Sequence, residues 1–577
     1  MPDVKAIKYN VTYYDRTRVS PGYWFVAPYW FFEAEPPNSK YIPCQVGPHI
    51  YDQDGKLVWT GACLHHNRNI FDFKPTNHIL NDTTYLSFIL QNSYINDGTP
   101  LAKGAAYILN DKYFVEKTIP ITNDLERWDL HEFNILPGGK TAMAASIRIQ
   151  DQTLADLGRP AEMSKVASGG FLEIDLATSA VIFDWDSRDK IPLHESDHVM
   201  PWSPAEGGGG LDYIHVNAAD KNMYGDYLLS ARYTSTIYLL SGQDGHIIWR
   251  LGGKHTNFVM DFTFSKQHNA RFVSVNETHT VLSFLNNASD DFTNQEEISS
   301  GMVVELNTVN MTATLLRRYN RPDGGLSRMR GNLQTLEEGN VFMGWSEQGY
   351  HSEHAPDGTV LMEAKFLSPR FNSYRSYKFP FIGNPQQPPA LVASVYASES
   401  SHAHPPATGV PMTDPELTTV FHVSWNGATE VAVWNFYSQA DEISIPYLIG
   451  KVTKHDFESV FVTPGYWDFV SAEALDRNGN SLGWSMITRT SVEGSLQFAS
   501  EDGAQPLLVP DDPTSLVPES VIEIVTDPVP LAEAIAVDEE VVEEPEHVSD
   551  EDRLLKAIND VVLGMIMLAC FGTILIF

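Results

Sequence analysis

Three histidines recur at equivalent places in a repeated phrase of the sequence, and this spacing can bring imidazole groups together. His131, His215 and His268 each stand at or just before the opening of a candidate strand, and Arg232 ends the hairpin that begins at His215. Converging imidazole and guanidinium groups supply positive charge and hydrogen-bond donors, which suit an anionic ligand. A single histidine at a strand start can equally be a satisfied structural group. Three in register favour a functional site.

The segment "IIWRLGGKHTNFVMDFTFSKQHNARF", which begins at Ile247, gathers further cations in a chain that is otherwise acidic. Arg250 and Lys254 fall in a hairpin and its exit loop, and we expect Lys266 to face solvent. Within this segment, we therefore expect His268 and Arg271 to point toward a shared site.

Two phrases that alternate along the chain indicate which elements position these residues. The first reads strand, tight turn, strand, and its variants begin at Gly47, Gly169, Ser235 and Ser300. The second lies between them, and its variants begin at Leu130, Ile214, Gln267 and Arg330. Two alternating hairpins make a four-stranded unit, and such units repeated every few tens of residues are typical of a β-propeller. A pair of β-sandwiches is the competing architecture, but it does not predict this alternation.

The sequence thus predicts an all-β fold with a six-bladed β-propeller at residues 1–385 and a small Ig-like β-sandwich at 386–500. An acidic disordered linker at 501–552 and a transmembrane anchor at 553–577 are predicted to follow. Equivalent positions of successive propeller blades meet around one end of a central channel, so the three histidines would converge there.

The net charge excludes one class of partner. The chain has 577 residues and a formal charge of -35, which disfavours nucleic-acid binding because that depends on a basic surface. The acid is concentrated in residues 501–552, which hold 17 Asp and Glu and no Lys or Arg. We expect a spacer there rather than a packed domain.

The last 17 residues, "VVLGMIMLACFGTILIF", are uncharged and apolar and predict a single membrane-spanning helix, at the lower limit of length. The first residues, "MPDVKAIKYN", lack the apolar core of a secretory signal. Taken literally, this predicts a tail-anchored protein with its bulk in the cytosol. An upstream signal peptide would instead place it on the lumenal or extracellular side.

Other motifs in the sequence leave alternatives open. Cys44 and Cys63 flank a turn almost symmetrically, so they are candidates for a disulfide, although two buried thiols explain them equally well. The "HESDH" stretch from His194 has the spacing of metal ligands, but it lies in a proline-flanked loop and we expect no metal. Asn-x-Ser/Thr sites, the acceptors of N-glycosylation, occur at Asn10, Asn81, Asn276, Asn287 and Asn310, at about the frequency expected by chance.

The motifs "DYIHVNAADKNMYGDYLLSARYTSTIYLL", "GHIIWRLGGK", "FSKQHNARF" and "GNVFMGWSEQG" resemble those of the arylsulfotransferase family, in particular its fungal branch. The resemblance extends from about Ser20 to Phe381. It implies a six-bladed propeller that moves a sulfuryl group from a phenolic sulfate ester to another phenol without a nucleotide sulfate donor. It implies no cofactor, and small aromatic substrates as partners.

The resemblance also implies roles for individual residues. His268 of "QHNARF" matches the nucleophile that becomes transiently sulfated, and His215 and Arg232 match positions that bind sulfuryl oxygens. His131 matches a further channel histidine. A neutral imidazole can attack sulfur, and fixed donors stabilise the charge that gathers on the sulfuryl oxygens.

Three positions depart from the family's common pattern, and we expect them beside the substrate together with Arg271. Asn269 and Asn286 stand where aspartates are common, and Tyr233 stands where a histidine is usual. Each departure removes a charge or a titratable group. The sequence therefore leaves two other functions open: a membrane-anchored binding or scaffold protein without activity, and an enzyme of other chemistry on small aromatic metabolites.

Overall fold

The computed structural model describes residues 4–30, 44–65, 68–76, 84–92, 100–122, 124–198, 210–397 and 417–492. The chain divides into two compact units, Met1–Leu516 and Val517–Phe577. All described residues belong to the first unit. The predicted boundaries at residues 385, 500 and 552 stay predictions.

Short β-strands make up nearly all of the regular structure. In chain order, the strands up to residue 240 are β1 (Tyr9–Tyr13), β2 (Tyr23–Tyr29), β3 (His49–Tyr51), β4 (Leu57–Thr60), β5 (Ile70–Thr76), β6 (Tyr85–Leu90), β7 (Ala105–Leu109), β8 (Val115–Pro120), β9 (Phe133–Ile135), β10 (Thr141–Leu154), β11 (Arg159–Asp175), β12 (Val181–Asp186), β13 (Leu211–Asp212), β14 (Val216–Lys221), β15 (Tyr227–Ala231) and β16 (Thr236–Leu240).

The next strands are β17 (Ile247–Gly252), β18 (Val259–Met260), β19 (His268–Val275), β20 (His279–Asn286), β21 (Ser300–Asn307), β22 (Thr312–Asn320), β23 (Asn332–Thr335), β24 (Val341–Gly344), β25 (His351–His354), β26 (Val360–Phe366) and β27 (Asn372–Phe379). The last are β28 (Ala390–Ala397), β29 (Leu417–Ser424), β30 (Val433–Gln439), β31 (Tyr447–Thr453), β32 (Glu458–Pro464), β33 (Phe469–Leu475), β34 (Ser481–Trp484), β35 (Thr488–Arg489) and β36 (Ser491–Val492). Short 3₁₀ helices span Arg16–Arg18, Pro100–Lys103, Ala155–Leu157, Leu193–Glu195 and Glu347–Gly349.

The strands up to β27 form six mainly antiparallel sheets. Their strand orders are β27-β2-β3-β4, β5-β6-β7-β8, β9-β10-β11-β12, β14-β15-β16-β17, β19-β20-β21-β22-β18 and β23-β24-β25-β26-β1. The late strand β27 completes the sheet of β2 to β4, and the early strand β1 completes the sheet of β23 to β26. Each end of this region therefore contributes one strand to a sheet whose other strands come from the opposite end.

The first strands of these sheets, β5, β9, β14, β19, β23 and β27, are linked to one another in a closed circle. The links are hydrogen bonds from Lys74 Nζ to Phe133 O, Asn134 Nδ2 to Asp220 Oδ1, Asn217 Nδ2 to Gln267 O, Arg330 N to His268 Nε2, Asn332 Nδ2 to Ser376 O and Arg375 Nη1 to Asp72 Oδ1. Six sheets arranged in this way fit a propeller, with these inner strands around its channel.

A buried network of charged side chains fills the middle of the channel. Arg375 contacts Asp72 at 2.8 Å and Glu132 at 3.4 Å, and its side chain is fully buried like theirs. Arg271 contacts Glu132 at 2.7 Å, and Lys74 pairs with Asp72. Burial raises the pKa of Asp72, but the charges of Lys74 and Arg375 outweigh burial and hold that pKa below its usual range. The network joins four of the six inner strands or the residues next to them.

The strands after β27 form two further sheets, of order β32-β29-β28-β36 and β31-β30-β33-β34. They pack through a core in which Phe436 of one sheet lies 5.3 Å from Phe421 and 4.8 Å from Phe461 of the other, between ring centroids. Tyr113 joins these sheets to the earlier ones. Its ring stacks on Trp59 at 4.6 Å, and its hydroxyl donates to Gly427 O at 2.7 Å.

Cys44 and Cys63 form a disulfide, with their Cα atoms 5.0 Å apart. The bond joins the chain just before β3 to the loop that follows β4. Of the two readings that the sequence left open for these cysteines, the structure shows the disulfide.

The predicted fold class, which combined an all-β fold with a transmembrane helix, is wrong in its helical part. In the part of the chain that the structure describes, the fold is all-β without an α-helix, and no helix is long and apolar enough to cross a membrane. Residues 501–577, on which the linker and the transmembrane helix were predicted, lie outside the described residues. That prediction rested on hydropathy, which reports the cost of exposing apolar side chains to water and does not by itself determine a helix.

Replacing Glu132 by Gln tests the buried network, because it leaves Arg271 and Arg375 without their shared countercharge. We expect a loss of about 3–5 kcal/mol in the free energy of unfolding, measured by urea titration with tryptophan fluorescence. Asp54→Asn is the matched control, since Asp54 pairs with Arg16 at 2.7 Å on the surface and exposed pairs contribute little. A loss in Glu132→Gln no greater than in the control would contradict the network's role.

Candidate functional site

The structure brings His131, His215, His268 and Arg232 together at one end of the channel, where the inner strands begin. The rings of His131 and His215 lie 4.7 Å apart, nearly perpendicular at 82°. Arg232 follows β15 and donates its backbone N–H to His215 O at 2.9 Å. Arg232 donates to Arg328 O, and Arg330, two residues later, donates its N–H to His268 Nε2.

His268 is the most deeply buried member of the group, at 1% exposure. Its Nδ1 lies 2.8 Å from Asn287 Oδ1 and 3.1 Å from Lys266 O, two acceptors that hold the ring proton on Nδ1. Its Nε2 therefore carries the lone pair, and it accepts from Arg330 N at 3.2 Å. Burial lowers the pKa of His268 well below its usual value, and the charge of Arg232 lowers it further. The imidazole is thus neutral at pH 7.

His131 and His215 are each oriented by an aspartate. His131 Nδ1 lies 2.8 Å from Asp129 Oδ1, and His215 Nδ1 lies 2.6 Å from Asp212 Oδ2. Burial raises the pKa of Asp212, but the charge and hydrogen bond of His215 outweigh it and keep that pKa low. Within the described residues, neither Nε2 makes a hydrogen bond to protein. Both nitrogens remain free to contact a ligand.

Arg232 and Tyr233 complete this end of the channel. Arg232 donates from Nη1 to Tyr233 Oη at 3.1 Å and from Nη2 to Arg328 O at 3.0 Å. Its Nε is buried and has no partner among the residues that the structure describes. The ring of Tyr233 lies 4.8 Å from that of His215. A buried guanidinium with an unused donor, close to free imidazole nitrogens, is suited to bind the oxygens of an anion.

Two polar residues of this region were not found from the sequence. Lys266, expected to face solvent, is 1% exposed and contacts Asp197 at 2.7 Å and Asp290 at 3.3 Å. Asn287, rather than Asn286, contacts His268. Asn286 instead accepts from Ser265 N at 3.0 Å and donates to Glu296 at 3.1 Å. Adjacent asparagines at a strand end point opposite ways, so the spacing alone could not choose between them.

The chain around the site adopts an unusual backbone conformation. His215, Lys266, Asn269 and Arg330 have φ of 52°, 54°, 57° and 65°, in the left-handed region that residues other than glycine rarely occupy. Each such residue costs about 1–3 kcal/mol and persists where the surroundings impose it, often at functional sites. Their position at or next to the starts of inner strands agrees with a site at this end of the channel.

The structure does not bring Arg271 to the histidines. Its guanidinium donates to Ala219 O at 3.2 Å and to Glu132, in the central network. It lines a cavity of about 660 Å³ at the opposite end of the channel, formed by the later parts of the inner strands. The amide of Asn269, in the orientation that satisfies its neighbours, accepts from Arg271 at 3.1 Å and also faces away from His268.

The described part of the chain holds no group of three or more His, Cys, Asp and Glu residues that could bind a metal ion. In the stretch from His194 to His198, Asp197 contacts the turn between β15 and β16, which contains Tyr233. Its N–H donates to Tyr233 O at 2.7 Å, and its carboxylate accepts from Ser235 Oγ at 2.6 Å.

Solved structures similar to this chain are distant. A protein of unknown function from Bacteroides caccae is 12% identical, covering 62% of this chain and 99% of that one, with a TM-score of 0.33. The GH43 protein BlXynB from Bacillus licheniformis is 7% identical, covering 72% and 88%, with a TM-score of 0.27. Kuenenia stuttgartiensis hydrazine synthase is 8% identical, covering 62% and 68%, with a TM-score of 0.23. At such scores these similarities carry no argument about fold or function.

No curated protein matches the sequence significantly. A protein-family model does match, over the part of the chain that contains His131, His215, Arg232 and His268. Residues 107–367 match the model of the arylsulfotransferase (ASST) family.

Proposed function

We propose that this protein is an arylsulfotransferase-like enzyme that moves a sulfuryl group from a phenolic sulfate ester to a phenolic acceptor through a sulfated His268. The observation that carries the proposal is the buried imidazole of His268, whose Nδ1 faces two acceptors and whose Nε2 therefore keeps its lone pair. The family match over residues 107–367 supports the reaction class. The fungal branch of the family stays part of the proposal, on the motifs of the sequence alone.

In the first step, the lone pair on His268 Nε2 attacks the sulfur of the ester. The N–S bond forms, the bond from sulfur to the aryl oxygen breaks, and the phenolate leaves with the electron pair of that bond. Nε2 must first give up its hydrogen bond from Arg330 N, which is long at 3.2 Å. In the second step, the oxygen of an acceptor phenol attacks the same sulfur and the N–S bond breaks, with its electron pair returning to Nε2 of neutral His268. The proton of the acceptor phenol passes to the phenolate released in the first step or to water.

The other polar groups of the site serve binding and charge. Arg232 binds the sulfuryl oxygens, whose negative charge grows in the transition state. His131 and His215, whose Nδ1 atoms face aspartates, donate from Nε2 to these oxygens only as imidazolium ions. Asn287 accepts from Nδ1 and stabilises the positive ring that forms when Nε2 bonds to sulfur. As an amide it cannot take the proton, so it orients the ring without protonating or deprotonating it.

We further propose that the described part of the protein works in an oxidising compartment. The Cys44–Cys63 disulfide supports a lumenal or extracellular location, because cytosolic thiols are kept reduced. Asn10, Asn276 and Asn310 are exposed and open to glycosylation, whereas Asn287 is fully buried.

The kinetic test uses a chromogenic aryl sulfate with a phenol as acceptor. We expect His268→Ala to abolish turnover, since it removes the nucleophile, and Arg232→Ala to lower kcat about 10²- to 10³-fold, as the loss of one fixed donor does. His246→Ala is the matched control, since His246 is exposed and pairs only with nearby Asp244. Absent turnover in the wild type, or unchanged turnover in His268→Ala, would contradict the proposed mechanism.

The pH profile tests the protonation state of His268. Because its pKa is lowered, we expect kcat/KM to persist below pH 6.5 and to fall only when the ring is protonated. Asn287→Asp places a carboxylate against Nδ1, which favours the charged ring, so the acid limb should move up by roughly 1–3 pH units. Asn286→Asp is the control, because that side chain does not contact His268. An acid limb that moves equally in both variants would refute the assignment.

A further inference from the structure

Five aromatic side chains form a continuous row along one side of the site. The rings follow one another as His198, Tyr233, His215, His131 and Tyr374, with centroid separations of 4.2, 4.8, 4.7 and 5.7 Å. The middle of the row holds the two histidines whose Nε2 atoms are free. Its first member, His198, has no part in the reaction described above.

His198 is held in place by the residue before it. Asp197 accepts from Lys266 Nζ at 2.7 Å and from Ser235 Oγ at 2.6 Å, and its N–H donates to Tyr233 O at 2.7 Å. These three contacts fix the chain against the turn between β15 and β16, which contains Tyr233, and against Lys266 just before β19. The imidazole of His198 consequently lies against the ring of Tyr233, with the two ring planes tilted by 32°.

Two cations also lie close to the ring of Tyr233. The guanidinium of Arg232 lies 5.0 Å from its centroid and the ammonium of Lys266 lies 5.6 Å away. Two cations beside one ring orient it electrostatically. The ring of Tyr233 is therefore held in a fixed position, and His198 packs against it as the next aromatic group of the row.

His198 itself has an unused polar atom and an apolar neighbour. Its Nδ1 is buried and makes no hydrogen bond within the described part of the chain. The ring of Phe292 lies 6.3 Å from that of His198, at 72°, and Phe292 is 65% exposed. Burial lowers the pKa of His198; the charge of Asp212 opposes this effect, the charges of Lys266 and Arg232 add to it, and the pKa stays below its usual value.

We propose that His198 and Phe292 form a subsite for the aryl ring of the substrate, with His198 as the residue that gives preference for aromatic over aliphatic esters. This rests on the proposed function, which puts the sulfuryl group at Arg232 and His268. A phenyl ring attached to that group can then extend along the row toward His198. Stacked and edge-to-face aromatic pairs add about 0.5–1.5 kcal/mol beyond burial, enough for a measurable preference.

The test measures the binding of benzenesulfonate, which has the anionic group and the ring but no transferable sulfuryl group, and of methanesulfonate, which lacks the ring. Isothermal titration calorimetry of the full chain gives both Kd values. We expect His198→Ala to weaken benzenesulfonate binding about three- to tenfold and to leave methanesulfonate binding unchanged. His198→Phe keeps an aromatic ring and should bind benzenesulfonate almost as the wild type does.

The matched control is His194→Ala, in the same segment but at an exposed position, which should change neither Kd. Thermal unfolding shows whether each variant is folded. Equal weakening of both ligands in His198→Ala, no rescue by His198→Phe, or a wild type that binds benzenesulfonate no more tightly than methanesulfonate would each overturn the inference. A wild type that binds benzenesulfonate through His198 but does not turn over aryl sulfates would refute the proposed reaction and leave the aryl subsite standing.

Discussion

The carboxylate of Glu132 is the point on which the channel depends. It lies next to β9, is fully buried, and contacts Arg271 of β19 and Arg375 of β27, while Arg375 also binds Asp72 of β5. Ions buried in this way are stable only when each finds its countercharge. The network therefore ties together inner strands that are far apart in the chain, and it closes the channel between the histidines at one end and the open cavity at the other.

At the histidine end of the channel, burial keeps a side chain uncharged instead of being compensated by charge pairs. In the network, burial is compensated by charge pairs, whereas His268 is buried beside Arg232 and has the neutral acceptor Asn287 for a partner. Burial and the charge of Arg232 lower the pKa of His268 and outweigh the hydrogen bond to Asn287, which raises it, so the ring keeps a free electron pair. His131 and His215 differ because Asp129 and Asp212 orient them through Nδ1. Three histidines at equivalent positions are thus held in two different ways, two by aspartates and one by an asparagine.

The sequence predicted the architecture around the site better than the directions of its side chains. The repeated phrases located His131, His215 and His268 at the starts of inner strands, because hairpin spacing determines where a strand begins. They did not predict that Arg271 faces the other end. The pairing of β19 with β20 shifts in register between His268 and Arg271, and Asn269 lies there with a φ of 57°. Such a bulge breaks the two-residue alternation on which a sequence prediction rests.

The central claim is that His268 carries the sulfuryl group between the two substrates. Its most direct test is mass spectrometry of protein mixed with an aryl sulfate in the absence of acceptor and quenched in alkali, followed by proteolysis. We expect one sulfuryl adduct on the peptide that contains His268. This adduct should be lost when a phenol is added before the quench, and it should be absent in His268→Ala. An adduct on another residue, or turnover without any adduct, would contradict it.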